Sequence, residues 1–243
     1  SISDILFTIG YRFYAMFTVL WSYLENFLVN SQIIFYSFFF LSICAVIFLI
    51  YSKKLDLDQS DNIKLGRLLL YSGVTLSMLA VMPISGKGYD VPYFIYQLKN
   101  VKEFGINYLF TYIDRPLYYI FAWFLSIILP VSERVIVSIT GVIGAGLLSF
   151  SSYIFAKKAF NNSVIGGFAA LFTANMYGLT QMSICYITNI FGLSCAILYL
   201  SSLIDVFNNR NFKSMLISTV LIMATILIYP VAGVVALFIF FIL

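Results

Sequence analysis

The sequence predicts an all-α protein, a polytopic bundle of transmembrane helices with an amphipathic interfacial helix in an outer loop. The first observation is composition, because 62% of the 243 residues are hydrophobic and only 10% are charged, whereas a soluble domain has about 25% charged residues. The second is the position of the charges, since residues 159–204 and 214–243 contain none. The first of these stretches is long enough for two spans of roughly 20 residues each.

The apolar segments follow one another along the chain and are bounded by charged or helix-breaking residues. Residues 5–24 contain Arg12, so they form either a first span or a helix lying at the interface. Residues 53–67 form a polar connection, and Pro116 suits the first turn of the helix that follows it. Roughly eight membrane segments result. The remaining predicted segments are 33–51, 68–84, 117–131, 135–156, 164–179, 190–204, and a last one formed by 215–228 and 231–243 with a break at Tyr229-Pro230.

The loop of residues 86–115 separates two of these spans and holds a concentration of charged residues. Within it, residues 91–104 place apolar side chains at helical spacing, with charged residues on another side, which predicts a short amphipathic helix along the membrane surface. The positive-inside rule puts the basic connection 53–67 in the cytoplasm and therefore this loop outside. Strict alternation of the later spans would place Lys157 and Lys158 outside as well, which conflicts with the same rule.

Composition also excludes several kinds of site. The chain has no histidine, which removes histidine-based catalytic triads and histidine ligation of zinc or haem. Cys44, Cys185 and Cys195 lie in apolar runs without metal-ligand spacing and are interpreted as core residues. The net charge of +4 is spread over loops, so we predict no nucleic-acid partner. We expect residues 1–243 to be a single transmembrane module of a longer protein, with the lipid bilayer as its surroundings.

The order of motifs around the outer loop resembles one superfamily. A span is followed by Gly-Tyr-Asp-Val-Pro-Tyr at 88–93, then by the amphipathic segment, then by Tyr-Ile-Asp-Arg-Pro-Leu-Tyr-Tyr at 112–119. This order is similar to the first outer loop of the GT-C glycosyltransferases, which include protein mannosyltransferases, aminoarabinose transferases and oligosaccharyltransferase catalytic subunits. Weaker similarities are Asn-Ile-Phe-Gly-Leu at 189–193, as in a span of archaeal members, and Leu-Ile-Tyr-Pro at 227–230, where some relatives have a His-Pro pair.

The resemblance implies a membrane glycosyltransferase of an archaeal or bacterial cell membrane. It would transfer a sugar, with inversion, from a polyprenyl-phosphate-linked donor to an acceptor on the outer face. Such a transfer needs a deprotonated acceptor, and Asp90 is the candidate to act as general base or to hold a divalent metal such as Mg²⁺ or Mn²⁺. The leaving group is a phosphate, for which Arg115 is the first candidate ligand and Lys87 the second.

Each of these residues also has a structural interpretation. Asp90 could be a solvated loop residue, and Arg115 could be an interfacial anchor or the partner of Asp114. Asp114 is either a second acid or the cap of the helix that begins at Pro116. Tyr93 and Tyr96 either stack on a sugar or pack at the interface. A polar cluster further along the chain either lines a cavity or forms interhelical hydrogen bonds; it consists of Asn175, Thr180, Gln181 and Asn189.

Two other functions are open at this level. A non-catalytic membrane subunit or scaffold of the same ancestry would have a replaceable Asp90. A transporter would need ionisable residues within its spans, and nearly all charges here lie at span ends, which argues against that function.

Overall fold

The computed structural model describes residues 59–82, 85, 90–113, 115–174, 187–209 and 211–242. These residues are helical with short connections, and no strand occurs among them, so the all-α prediction is confirmed for this part of the chain. The predicted segments 5–24 and 33–51 lie outside it. The described helices are α1 (Gln59–Val81), α2 (Val91–Tyr112), α3 (Pro116–Ile128), α4 (Glu133–Phe160), α5 (Ser163–Ala174), α6 (Ile187–Asn209), α7 (Phe212–Ile228) and α8 (Pro230–Ile242).

Three of the described helices are long and apolar enough to cross a membrane. They are α1, α4 and α6, with 23, 28 and 23 residues, and they correspond to the predicted spans 68–84, 135–156 and 190–204. The other apolar helices, α3, α5, α7 and α8, are shorter. The chain therefore has the helices of a membrane protein, although fewer full spans are found in the described part than the apolar segments predicted.

Two predicted boundaries are wrong. The polar connection 53–67 was expected to end where a span begins at residue 68, but the residues from Gln59 onward already belong to α1. Hydropathy marks only the apolar part of a helix, whereas backbone hydrogen bonding continues through its polar first turns. The span 117–131 is a helix of 13 residues, about 20 Å long, which is too short to cross the hydrocarbon core of a bilayer.

α1 and α5 run parallel to each other with their backbones in contact. A Cβ atom added to Gly66 would lie 2.4 Å from the Ser163 carbonyl oxygen, and one added to Gly73 would lie 2.6 Å from the Ala170 carbonyl carbon. Small residues allow this close approach between helices in a membrane. At the start of both helices, the Asn62 side chain accepts a hydrogen bond from the Ser163 backbone N–H at 3.1 Å.

α4 lies antiparallel to α1 and crosses the middle of the bundle. The Ser85 hydroxyl donates to the Ser138 carbonyl at 2.8 Å, and the Ser138 hydroxyl donates back to the Ser85 carbonyl at 3.0 Å. At the other end of the same pair, Leu70 packs with Tyr153. The C-terminus of α1 and the N-terminus of α4 therefore share one end of the bundle.

α6 runs parallel to α4, and α7 returns antiparallel to α6. Near the start of α6, Phe191 lies against Gly144 of α4, where an added Cβ would be 3.0 Å from its ring. Near the end of both helices, Lys158 pairs with Asp205. The α6–α7 pair is joined by a 2.7 Å hydrogen bond between the hydroxyls of Ser202 and Ser218.

These directions define two ends of the bundle. The Asp90 end carries Asp90, Arg115, the start of α4, the start of α6 as described, and Tyr229 after α7. The Lys157 end carries the start of α1, the α4–α5 turn with Lys157, and the α6–α7 turn. Asp90 and Arg115, the two described candidate residues with charged side chains, therefore lie at the same end of the bundle.

Candidate functional site

The helix that follows Asp90 is the amphipathic helix predicted from residues 91–104. Its apolar side is buried, with Phe94 2% exposed and Leu98 and Val101 fully buried, whereas Lys99 and Glu103 are exposed. The buried side packs on the bundle, where the Phe94 ring lies 5.5 Å from that of Tyr118 between centroids. The helix and its one-sided burial are confirmed; its position along a membrane surface stays a prediction.

α2 changes direction at Gly105 and continues as a second helical segment. Gly105 has φ 73° and ψ −163°, a backbone conformation that is essentially restricted to glycine. The second segment folds back on the first, because the Asn100 side chain donates to the Tyr108 hydroxyl at 2.8 Å and that hydroxyl donates to Gln97 at 3.1 Å. Two buried amides are thereby satisfied, and the helix after Asp90 is held in place.

Asp90 lies at the N-terminus of α2, in the N-cap position. Its backbone carbonyl accepts from the Phe94 N–H at 3.1 Å, but its side chain makes no cap hydrogen bond to the helix. The residue is partly exposed. The carboxylate is therefore accessible at the N-terminus of the helix.

Arg115 lies at the N-terminus of α3 and contacts two other helices. Its Nη1 donates to the Thr188 hydroxyl at 2.5 Å, and its guanidinium lies over the Tyr229 ring, with Cζ 5.6 Å from the ring centroid. Thr188 is fully buried. Tyr229 is itself held against α6, because a Cβ added to Gly192 would lie 2.3 Å from the Tyr229 Cβ. Three segments far apart in the chain thus meet at one guanidinium.

The aromatic core beneath these residues relates Asp90 to Arg115. Asp90 comes one helical turn before Phe94, and Arg115 comes one turn before Tyr118. The rings of Phe94 and Tyr118 are in contact. The core continues to Phe191 of α6, whose ring centroid is 5.9 Å from that of Tyr118. Both α2 and α3 therefore begin near one shared aromatic cluster, although no ion pair joins Asp90 to Arg115 in the described part of the chain.

The other predicted site residues are placed differently. Tyr93 and Tyr96 are 50% and 59% exposed on α2, so they lie on the side of that helix facing away from its buried contacts. Lys87 and Asp114 lie outside the described residues. Of the predicted polar cluster, only Asn189 is described, and its buried side-chain oxygen has no hydrogen-bond partner among the described residues.

A divalent metal is the remaining expectation for Asp90. Mg²⁺ is usually held by one or two carboxylates together with phosphate oxygens and waters. Among the described residues no group of three histidine, cysteine or acidic side chains is suited to hold an ion, and Asp90 supplies a single carboxylate. A metal at Asp90 would therefore take its other ligands from phosphate oxygens and waters, and the chemistry considered below uses the carboxylate as a base.

The structure brings in two residues that the sequence did not identify as ligands of Arg115, namely Thr188 and Tyr229. A threonine in an apolar helix usually hydrogen-bonds to its own backbone, so Thr188 carried no distinguishing signal. Tyr229 was visible as part of a Tyr-Pro pair that breaks the last helices, and the break is observed, with α7 ending at Ile228 and α8 beginning at Pro230.

The chain matches no protein-family model, and no curated protein or solved structure is significantly similar to it.

Proposed function

We propose that the chain is the transmembrane module of a GT-C-type glycosyltransferase, a multi-pass protein of an archaeal or bacterial cell membrane. It would transfer a sugar from a polyprenyl-phosphate-linked donor to an acceptor at the Asp90 end. The observation that supports this most is the convergence at Arg115. The segments 112–119, 189–193 and 227–230 carried the resemblance separately, and Arg115, Gly192 and Tyr229, one from each, form a connected set of contacts.

Asp90 is the general base in this proposal. It takes the proton from the acceptor as the acceptor atom attacks the anomeric carbon from the side opposite the phosphate, which inverts that carbon. The bond from the anomeric carbon to the phosphate oxygen breaks, and the lipid phosphate leaves with the electron pair. An accessible carboxylate without a cap hydrogen bond is suited to accept this proton.

Arg115 is the proposed ligand of the departing phosphate. A planar guanidinium binds phosphate through two parallel N–H groups, and the contacts with Thr188 and Tyr229 hold it in one orientation. The N-terminus of α3, where Arg115 lies, adds the positive end of a helix dipole.

The surface of α3 suits the lipid part of such a donor. The helix begins at Arg115 and exposes Phe124, Ile127 and Ile128 along its length, at 55%, 64% and 56%. A polyprenyl chain whose phosphate is at Arg115 would find apolar surface next to it.

The decisive experiment measures sugar transfer by the full-length protein, reconstituted with a polyprenyl-phosphate-linked donor. Asp90→Asn is expected to lower the rate by about 10²–10⁴-fold, the usual cost of losing a general base. Glu103→Gln is the matched control, because it neutralises an exposed carboxylate on the same helix, and it is expected to transfer at the wild-type rate. Wild-type turnover by Asp90→Asn would contradict the proposal.

Arg115 is tested by two substitutions. Arg115→Lys and Arg115→Ala are expected to be similarly impaired, because lysine keeps the charge but cannot reproduce the planar fork. A mild effect of the lysine variant would mean that the charge alone is needed.

A second function, that of a non-catalytic subunit, is favoured by one observation. Asp90 makes no ion pair in the described part of the chain, as expected of a replaceable, solvated residue. No transfer by the wild-type protein, together with unchanged stability of Asp90→Asn, would support that function instead.

A further inference from the structure

The Lys157 end of the bundle gathers basic residues that are distant in sequence. Lys64 lies on the first turns of α1, and Lys157 lies in the last turn of α4. These two places are adjacent, because the Asn62 amide donates to the Asn162 side chain at 3.3 Å and accepts from the Ser163 N–H at 3.1 Å.

The α6–α7 turn joins the same surface. Lys158 at the end of α4 pairs with Asp205 near the end of α6, and α7 begins next to it with Lys213 in its first turn. The Ser202–Ser218 hydrogen bond holds α7 along α6. Cations from α1, α4 and α7 therefore share one end of the molecule.

This surface has an excess of positive charge. Its described residues include five basic side chains, Lys64, Arg67, Lys157, Lys158 and Lys213, and two acidic ones, Asp61 and Asp205, which is a net charge of +3. Each aspartate is paired with a lysine. Arg67, Lys157 and Lys213 are exposed, and no carboxylate of the described part forms an ion pair with them.

Large apolar side chains surround these cations. Leu68 and Tyr71 on α1 are 62% and 67% exposed, Phe160 at the end of α4 is 65% exposed, and Phe212 at the start of α7 is 79% exposed. Exposed aromatic and aliphatic residues next to lysine and arginine are typical of the membrane–water boundary, where the rings lie among the head groups. A soluble acidic partner would not account for these exposed apolar side chains around the cations.

We propose that the Lys157 end binds the anionic phospholipid head groups of the cytoplasmic leaflet, and so holds the Asp90 end on the outer side of the membrane. Phosphate groups of the lipids would contact Arg67, Lys157 and Lys213, and the acyl chains would contact the exposed apolar side chains around them. Cytoplasmic leaflets attract such basic segments through their negative surface potential.

The path of α3 makes this arrangement compatible with the positive-inside rule. α3 begins where Arg115 contacts Thr188 of α6, and the residues after it, Leu129 and Val131, pack against a cluster that contains Ile136 near the start of α4. Both ends of the helix lie at the Asp90 end, so α3 does not carry the chain across the bilayer. Lys157 and Lys158 therefore return to the same side as Lys64, which removes the conflict that strict alternation produced.

Cysteine labelling of the full-length protein in cells tests the sidedness. Single cysteines are placed at Ser60, Phe160 and Asn208, all exposed at the Lys157 end, and at Glu103 on α2, in a background without the native cysteines. An impermeant maleimide is expected to label Glu103→Cys in intact cells and the other three only after permeabilisation. Labelling of Phe160→Cys in intact cells would mean that α3 crosses, and would overturn the proposal.

Lipid preference is tested with the purified full-length protein in vesicles. A fluorophore at Phe160→Cys reports quenching by brominated phosphatidylglycerol compared with brominated phosphatidylcholine, and the anionic lipid is expected to quench more. Neutralising Lys157 and Lys213 to glutamine is expected to reduce this preference by about fivefold for each charge. The matched control neutralises Lys99 and Arg134, which are exposed at the Asp90 end, and is expected to keep it.

Equal quenching by the two lipids, or the same loss in both double variants, would overturn the lipid assignment. Because sugar transfer is not measured in either experiment, the outcome is independent of the role proposed for Asp90.

Discussion

Replacing Thr188 with valine is expected to destabilise the Asp90 end of the bundle. Valine keeps the branched shape of threonine but lacks the hydroxyl that accepts from Arg115. Thr188 is fully buried, so water cannot take the place of the lost acceptor. The guanidinium would keep its contact with Tyr229 but would lose a partner for one N–H group.

The size of the effect follows from the charge on Arg115. A hydrogen bond to a charged group contributes about 1.5–3 kcal/mol, against about 0.5–1.5 kcal/mol for a neutral pair. For a chain of this length, a loss of about 1.5–3 kcal/mol corresponds to a fall of roughly 3–12 °C in the midpoint of thermal unfolding.

The assay is thermal unfolding of the full-length protein in detergent, followed with a maleimide dye that becomes fluorescent when it reacts with thiols exposed by unfolding, such as that of the half-buried Cys195. Thr225→Val is the matched control. Thr225 is equally buried, but among the described residues its hydroxyl donates to the Leu221 carbonyl of its own helix at 2.7 Å. The fall in the unfolding midpoint of Thr225→Val is therefore expected to be small. Equal shifts for the two variants would refute the conclusion that Thr188 holds Arg115.

Two glycines provide further predictions. Gly105→Ala is expected to destabilise by about 1–3 kcal/mol through backbone strain alone, because an added Cβ would meet nothing within 4 Å; wild-type stability in a thermal scan would contradict this. Gly192→Ala is expected to lower the unfolding midpoint more than Gly144→Ala, because the new Cβ would lie 2.3 Å from that of Tyr229 in the first case and 3.0 Å from an aromatic ring in the second. The reverse order in the same scan would show that Tyr229 is not fixed against α6.

The sequence predicted the elements whose signals are local. The one-sided apolar spacing of residues 91–104 predicted the helix that follows Asp90, and the Tyr229-Pro230 pair predicted the break between α7 and α8. Both depend on residues within a turn or two of each other, so a single sequence is sufficient to reveal them.

The partners of Arg115 and the path of α3 depend on contacts between residues far apart in the chain, which hydropathy does not report. Arg115 and its acceptor Thr188 are 73 residues apart, and each has an ordinary interpretation in its own segment. The 13-residue α3 was predicted to be a span, because an apolar run in a sequence does not show whether the two ends of the helix lie on opposite sides of the membrane. Contacts of both ends of α3, with Thr188 of α6 and with the cluster that contains Ile136, place both ends of the helix at the Asp90 end of the bundle.

The glycine contact between α1 and α5 has a consequence for synthesis of the protein. Asn62 and its partner Asn162 are 100 residues apart in the chain, a length that takes roughly 5–20 s to translate. For most of that interval α1 is already made, while the helix that covers Gly66 and Gly73 does not yet exist. A nascent chain interrupted before Ser163 would leave that glycine face uncovered, so the bundle assembles late, with its first described helix receiving its closest neighbour only after α4 has been completed.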